Sequence, residues 1–263
     1  MTLYRFKTFK STYYFPALSS RSRFIYSLYG NYGGRAAHLL WWLFTHLTAF
    51  RWLNKVEADS VEGFGHLSEL IGRDAVIGIN MGTEGPDQKK SVLGYERTTG
   101  NRFFAKLATK ERAMALSRNE IKVYRLLADT GLVPQLFDWK DDKSFVYLKS
   151  ECISGNHVHG KVDDRCILDI LLTMKERHYE QPSSPNPQPS SLTTCFAHMD
   201  FCPWNMIETD KGLRVMDWEM AAEMPLGFDL FTYLLQTHYL IDDSLSGVEV
   251  IKNNEKLITD YFG

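Results

Sequence analysis

Asp200, Asn205 and Asp217 are the residues whose types and spacing could do chemistry. They stand in His198-Met199-Asp200-Phe201-Cys202-Pro203-Trp204-Asn205 and, after a short gap, in Val215-Met216-Asp217-Trp218-Glu219. One carboxylate can orient and deprotonate an attacking hydroxyl. An amide oxygen and a second carboxylate can hold a magnesium ion that neutralises phosphate charge. That is the equipment of phosphoryl transfer, a reaction that asks a protein for positioning and electrostatic stabilisation rather than covalent help. The local alternative is that Asp and Asn here merely cap helices, a common use of both. The presence of both pieces, in this order, favours phosphoryl transfer.

Such a site needs elements that bring phosphates to it. Val76-Ile77-Gly78-Ile79-Asn80-Met81 reads as a strand, Gly82-Thr83-Glu84-Gly85-Pro86-Asp87 as the turn after it, and Ser91–Tyr95 and Arg102–Leu107 as two further strands. A strand–glycine turn–strand unit can fold over phosphates, because glycine lets backbone N–H groups approach closely. The same six residues also suit an ordinary hairpin turn. A helix follows, from about Thr109 to Asp129, with Met114, Ile121, Tyr124 and Ala128 on one face and Gly131 and Pro134 as stop signals. Phe145–Lys149 is another strand. Beyond it come a helix over about 163–178, an irregular Pro/Ser-rich loop at 182–191, a helix opening at Gly227-Phe228-Asp229-Leu230, and a last helix near 248–261.

The stretch 198–219 resembles the aminoglycoside phosphotransferase and choline kinase families, distant relatives of the protein kinases. The form Asp-Phe-x-Pro-Trp-Asn with Asp-Trp-Glu downstream is most similar to small-molecule kinases of bacterial surface-glycan clusters. The resemblance spans roughly residues 74–240 and departs from the family at Met199, where relatives carry glycine. It implies Asp200 as the catalytic base, and Asn205 and Asp217 as ligands of Mg2+. Gly82, Thr83 and Gly85 would cover the phosphates of ATP, and Lys106 of Phe-Phe-Ala-Lys-Leu would pair with them. Glu120 would hold Lys106, with Glu111 as a rival nearer the helix start. Backbone groups near Glu151 and Ile153 would read the adenine edge. His198 would shape the loop, Asp229 would brace it through backbone N–H groups, and Glu219 would be a surface residue or a further contact.

Composition sets the frame. The 263 residues are 44% hydrophobic and 24% charged, as in an ordinary globular protein. Cys152, Cys166, Cys195 and Cys202 form no C-x-x-C pair and no metal-ligand spacing, which suits a reducing, cytoplasmic setting; Cys202 reads as packing. Residues 1–56 carry eight Lys or Arg and no acid, so the remainder holds −10 of the net −2. That segregation points to an anionic partner for the N-terminal piece. Its apolar stretch 36–53 is barely long enough to span a bilayer and has no cleavage site after it, which argues against a signal peptide. Leu39, Trp42, Leu43, His46, Leu47 and Phe50 recur at helical spacing, which suits either a helix packed on the body or an interfacial helix on an anionic membrane. The basic residues form no nucleic-acid-binding module.

The expectation is therefore an α+β, two-lobed protein-kinase-like fold. A helical, basic and aromatic N-terminal extension would occupy residues 1–70, a small β-rich N-lobe 71–153, and a shortened, mostly helical C-lobe 154–263. The expected activity is ATP- and Mg2+-dependent phosphorylation of a hydroxyl on a small molecule, with a sugar or lipid-linked glycan favoured. The protein would be cytoplasmic, with possible peripheral contact to the inner face of the membrane through residues 1–56. An aminoglycoside or choline-like amino-alcohol acceptor is the alternative. A nucleotide-binding pseudokinase scaffold is the alternative of another class, disfavoured because Lys106, Asp200, Asn205 and Asp217 are all present.

Overall fold

The computed structural model describes residues 2–30, 34–179, 193–241 and 244–263; the Pro/Ser stretch 182–191 lies outside them. The chain divides into two compact units, one of Met1–Arg118 with Leu136–Cys152 and one of Asn119–Gln135 with Ile153–Gly263.

The first unit is built on one sheet. In chain order its elements are β1 (Thr2–Lys7), β2 (Thr12–Phe15), α1 (Arg35–His46), α2 (Thr48–Leu53), β3 (Lys55–Glu57), α3 (Phe64–Ile71), β4 (Ala75–Asn80), β5 (Lys89–Glu96) and β6 (Arg102–Ala108). Next comes α4 (Glu111–Leu126), within which the two units divide, and then β7 (Leu136–Asp141) and β8 (Val146–Glu151). The sheet order is β3-β1-β2-β4-β5-β6-β8-β7. Its pairings are antiparallel, with Ile79 opposite Val92 and Lys106 opposite both Ser91 and Leu148.

Alternation along the strands gives the sheet two apolar faces, as the period of two requires. On one face Leu3, Ile77, Ile79, Val92, Phe103, Ala105 and Leu107 pack with Phe64, Leu67 and Ile71 of α3. On the other, Phe6, Tyr13, Phe15 and Val76 pack with Ile25, Tyr26, Tyr29 and Phe44. The second cluster is nearly all aromatic: Phe15 stacks on Tyr26 with centroids 4.6 Å apart, and Trp41 stacks on Phe44 at 5.7 Å. The first seventy residues, expected as a helical extension, thus also supply β1, β2 and β3 to the sheet and contribute to the cover of both its faces. Their aromatic, basic composition hides strands that are short and two-sided.

The second unit contains β9 (Asn156–His157), α5 (Asp164–Lys175), β10 (Thr194–Ala197), β11 (Met206–Thr209), β12 (Gly212–Val215), β13 (Ala222–Pro225), α6 (Phe228–Ile241), α7 (Gly247–Asn253) and α8 (Glu255–Phe262). Asp163 caps α5 by accepting the Arg165 N–H at 2.9 Å. The buried stripe Ile167, Ile170, Leu171 and Met174 of α5 faces α8 and β10. The helix expected over 248–261 is two helices. Ser246 and Glu249 form a capping box that opens α7, and Asn254, whose side chain donates to Val250 O at 2.7 Å, separates it from α8.

Candidate active site

In the second unit the chemistry-bearing loop leaves β10 and runs through His198-Met199-Asp200 to a short helical turn at Pro203–Asn205. The β11–β12 hairpin then returns the chain, and the Met216 N–H donates to Asn205 O at 2.8 Å. That bond closes the hairpin and sets Asn205 and Asp217 at its base. Asp217 has φ +64 and ψ +51, a left-handed conformation that Asp tolerates better than most residues. Met199 is also left-handed, at φ +71. Glycine at the matching position of the resembling families therefore has a physical reason: this turn demands a conformation that costs an ordinary side chain about 1–2 kcal/mol.

Asp229, in the first turn of α6, holds that turn. Its two carboxylate oxygens accept the His198 N–H at 2.5 Å and the Met199 N–H at 3.0 Å. Burial pushes its pKa up to about 6, against the lowering effect of those two donors. His198 is fully buried, edge-on to Trp218 with ring centroids 4.5 Å apart. One ring nitrogen, Nε2, lies 2.8 Å from Met216 O, and the Asp200 N–H donates to the other, Nδ1, at 3.2 Å. Those partners define a neutral imidazole protonated on Nε2, and burial lowers its pKa accordingly. His198 therefore fastens Asp200 to the residue before Asp217.

Asp200 and Asn205 are joined directly. The Asn205 amide donates to Asp200 Oδ2 at 2.8 Å and to Asp200 O at 2.9 Å. With its nitrogen committed to Asp200, the amide presents its oxygen as the remaining donor atom for a cation. The Cys202 thiol lies 3.6 Å from Asp200 Oδ1 and 3.2 Å from Gln236 Oε1. Burial pushes its pKa to about 12, so it is a neutral thiol and no nucleophile.

Beside this loop the carboxylates of Asp217 and Glu219 meet a third, that of Glu120. Oxygens of Glu120, Asp217 and Glu219 all fall within 4.8 Å of one another. Glu120 is fully buried on α4 and accepts the Tyr124 hydroxyl at 2.9 Å. Asn119 explains how α4 reaches this place: its amide donates to Glu219 O at 3.0 Å and Ala221 O at 2.7 Å, while Tyr179 OH donates to its oxygen. A set of hard oxygen donors of this kind, with Asn205 at the neighbouring hairpin base, suits a small divalent cation such as Mg2+.

In the first unit, the Gly82–Gly85 turn is fixed at its base. Asn80 Oδ1 accepts the Gly82 N–H at 2.9 Å and the Ser11 hydroxyl at 2.6 Å. Gly82 has φ +75, and a Cβ there would lie 2.3 Å from Lys89 O, so only glycine fits. Lys110 Nζ donates to Gly85 O at 2.7 Å, and an open cavity of about 420 Å³ is lined by Gly82, Thr83, Gly85 and residues through Ser91. Lys106 is buried on β6. Glu151 ends β8 and is half-buried, as is Ile153, and the division between units falls between Cys152 and Ile153.

No protein-family model and no curated protein sequence matches the chain. Among solved structures, it is similar to choline kinase LicA from Streptococcus pneumoniae, with 16% identity and a TM-score of 0.47 over 65% of this chain and 70% of that one. It is similar also to an amicoumacin kinase solved in complex with AMP-PNP, Ca2+ and Ami, with 11% identity and a TM-score of 0.48 over 66% and 69% of the two chains. An aminoglycoside-3'-phosphotransferase of type VIII gives 14% and 0.43 over 65% and 86%. Choline kinases and aminoglycoside phosphotransferases are the two families that the stretch 198–219 resembles. At such identities and scores the functional case rests on this chain's own residues.

Proposed function

We propose that this chain is a phosphotransferase of the kinase-like class, using ATP and Mg2+ to phosphorylate a hydroxyl of a small molecule. The observation that carries the reading is the Asn205 bridge. One side chain fixes the candidate base Asp200 through its nitrogen and keeps its oxygen for the metal that Asp217 would share. Asp200 accepts the proton of the acceptor hydroxyl as its oxygen attacks the γ-phosphorus, the bond to the β-phosphate oxygen breaks, and ADP leaves. Mg2+, held by Asn205 and Asp217, would supply charge neutralisation on the phosphates. Lys106 and the Gly82-Thr83-Glu84-Gly85 turn are assigned to the phosphates, Glu120 to countering the Lys106 charge, and the backbone near Glu151 and Ile153 to the adenine.

The acceptor in this reading is a sugar or lipid-linked glycan. Its support is the N-terminal segment, whose eight cations and lack of acids suit an anionic or lipid-linked substrate at the inner face of a membrane. No helix among the described residues is long and apolar enough to cross one. An aminoglycoside or amino alcohol remains the other acceptor to be tried.

Calorimetry with ATP, with and without Mg2+, followed by an acceptor panel, tests the assignment. Asp200→Asn is expected to reduce transfer at least about a hundredfold with ATP affinity nearly intact, whereas Asp217→Asn also weakens metal-dependent ATP binding. Metal-independent or absent ATP binding refutes the reading, as do equal effects of the two variants on ATP affinity. Binding without turnover of any acceptor points instead to a pseudokinase scaffold.

A further inference from the structure

The N-terminal helices sort their apolar residues into two sets. Phe44 is fully buried, and Trp41 and Phe50 are partly buried, all against the aromatic cluster of the sheet. Leu39, Leu40, Trp42, Leu47, Trp52 and Leu53 stay outside that cluster, between 44% and 85% exposed. Side chains of this size left in water are ordinary when single and informative when grouped. Here they are grouped on α1, at its junction with α2 and at the end of α2, with Arg35 at the start of α1 and Lys55 just beyond α2. Arg35, Leu39, Trp42 and His46 follow one line along α1 at steps of four, three and four, so cation and apolar groups share a face.

We infer that this face of α1 and α2 docks on the surface of an anionic lipid bilayer. Three features choose that occupant over a protein partner. The segment 1–56 contains no acidic residue to repel anionic headgroups. The two exposed tryptophans have the amphipathic rings that settle at the headgroup level. The cations sit at the ends of the apolar stripe, where long side chains reach phosphates while the stripe enters the acyl boundary. Lys55 is well placed for this: it lies 5.8 Å from the Trp52 ring centre and makes only a loose 3.8 Å pair with Glu57. The opposite side of α1 is committed to the sheet, so docking turns the sheet unit toward the membrane without unfolding it. The inference deepens the proposed site of action and shares its premise of an inner membrane face, yet its readout uses neither ATP nor an acceptor, so its failure leaves the phosphotransfer reading standing.

Co-sedimentation of the full chain with vesicles tests it, one set containing phosphatidylglycerol and phosphatidylcholine and one phosphatidylcholine alone. Truncation is not the right perturbation, because β1–β3 belong to the sheet. The variants are Leu39→Ser with Trp42→Ser, and Trp52→Ser with Leu53→Ser. All four side chains are half or more exposed, so thermal unfolding should shift by no more than about 2–4 °C. The wild type is expected to bind the anionic vesicles at low salt with a blue shift of tryptophan emission, and to release at high salt as screening shortens the reach of the cations. Each double variant should lose at least about tenfold in partitioning. The inference is overturned if the wild type ignores anionic vesicles, if it binds phosphatidylcholine equally, or if the double variants partition as it does. Concentration-dependent dimerisation that the variants abolish, without vesicle binding, would assign the face to a second copy of the chain.

Discussion

Replacing Asn205 with aspartate is the sharpest perturbation of the proposed site, because it changes only the atom that faces Asp200. The Asn205 amide makes one bond to a carboxylate oxygen and one to a backbone oxygen. A bond to a charged partner contributes about 1.5–3 kcal/mol and a neutral one about 0.5–1.5. Asn205→Ala should therefore destabilise the fold by roughly 2–4 kcal/mol, toward the low end because both residues are half-buried. Asn205→Asp loses the same bonds and places a second negative charge about 2.8 Å from Asp200. Repulsion at that spacing is about 1.5 kcal/mol with the screening of bulk water and about 6 kcal/mol at an effective dielectric of ~20. Without metal at neutral pH, Asn205→Asp should thus be less stable than Asn205→Ala by a few kcal/mol. Mg2+ should reverse the order, since the new carboxylate adds an oxygen to the donors around Asp217, whereas alanine removes one. Urea unfolding of wild type and both variants, in chelator and in millimolar Mg2+, reads this directly. Equal stability of the two variants in chelator, or a Mg2+ response no larger for aspartate than for alanine, would refute the geometry on which the phosphotransfer reading rests.

Two further outcomes follow from the loop around His198. Its imidazole is buried and neutral with a pKa below the unfolded value of about 6.5, so the unfolded chain takes the extra proton on acidification. The stability it contributes is present above pH about 6.5 and lost as the pH falls below it. Asp229 acts in the opposite sense: with its pKa raised to about 6, its contribution is greatest below pH about 4 and declines as the pH rises through about 6. His198→Asn keeps an acceptor for the Asp200 N–H and cannot titrate, so the difference in urea midpoint between it and wild type should narrow toward acid; a constant difference from pH 5 to 8 contradicts this. At position 199, glycine and alanine both delete the methionine side chain, but only glycine accepts φ +71 without strain. Met199→Gly should be more stable than Met199→Ala by about 1 kcal/mol, and the reverse order in thermal unfolding would show that the turn relaxes.

The strands β4, β5, β6 and β8 and the helix α4 were legible because alternation and stop signals are local. Asp200, Asn205 and Asp217 stood out for the same reason: each piece of the loop is a few residues long. The bond between Asp200 and Asn205 is not something the sequence announced, whereas Asp229 grips the His198–Met199 turn through backbone N–H groups as the resemblance implied. What sequence hid is non-local. The resemblance assigns Glu120 to Lys106, and only the Asn119 bridge, across 100 residues to Glu219, shows that Glu120 also meets the carboxylates of Asp217 and Glu219. β1 and β2 offered a weak signal in Tyr4, Phe6, Tyr13 and Phe15, which alternate correctly. Their pairing through Tyr13 with Asn80 depends on residues far along the chain.

That distant pairing bears on how the chain reaches its native state. β4 to β6 can zip together from neighbouring hairpins, with little loop to close. β1 and β2 emerge earlier, yet β2 finds its partner only when β4 has been made, and Leu3 meets Val56 across the intervening helices. At synthesis rates of about 5–20 residues per second, the aromatic hairpin waits on the order of several seconds with no sheet to cover it. Docking of that hairpin onto β4 closes the longest loop of any strand pairing in this sheet, so the strands made earlier than β4 are expected to settle after it.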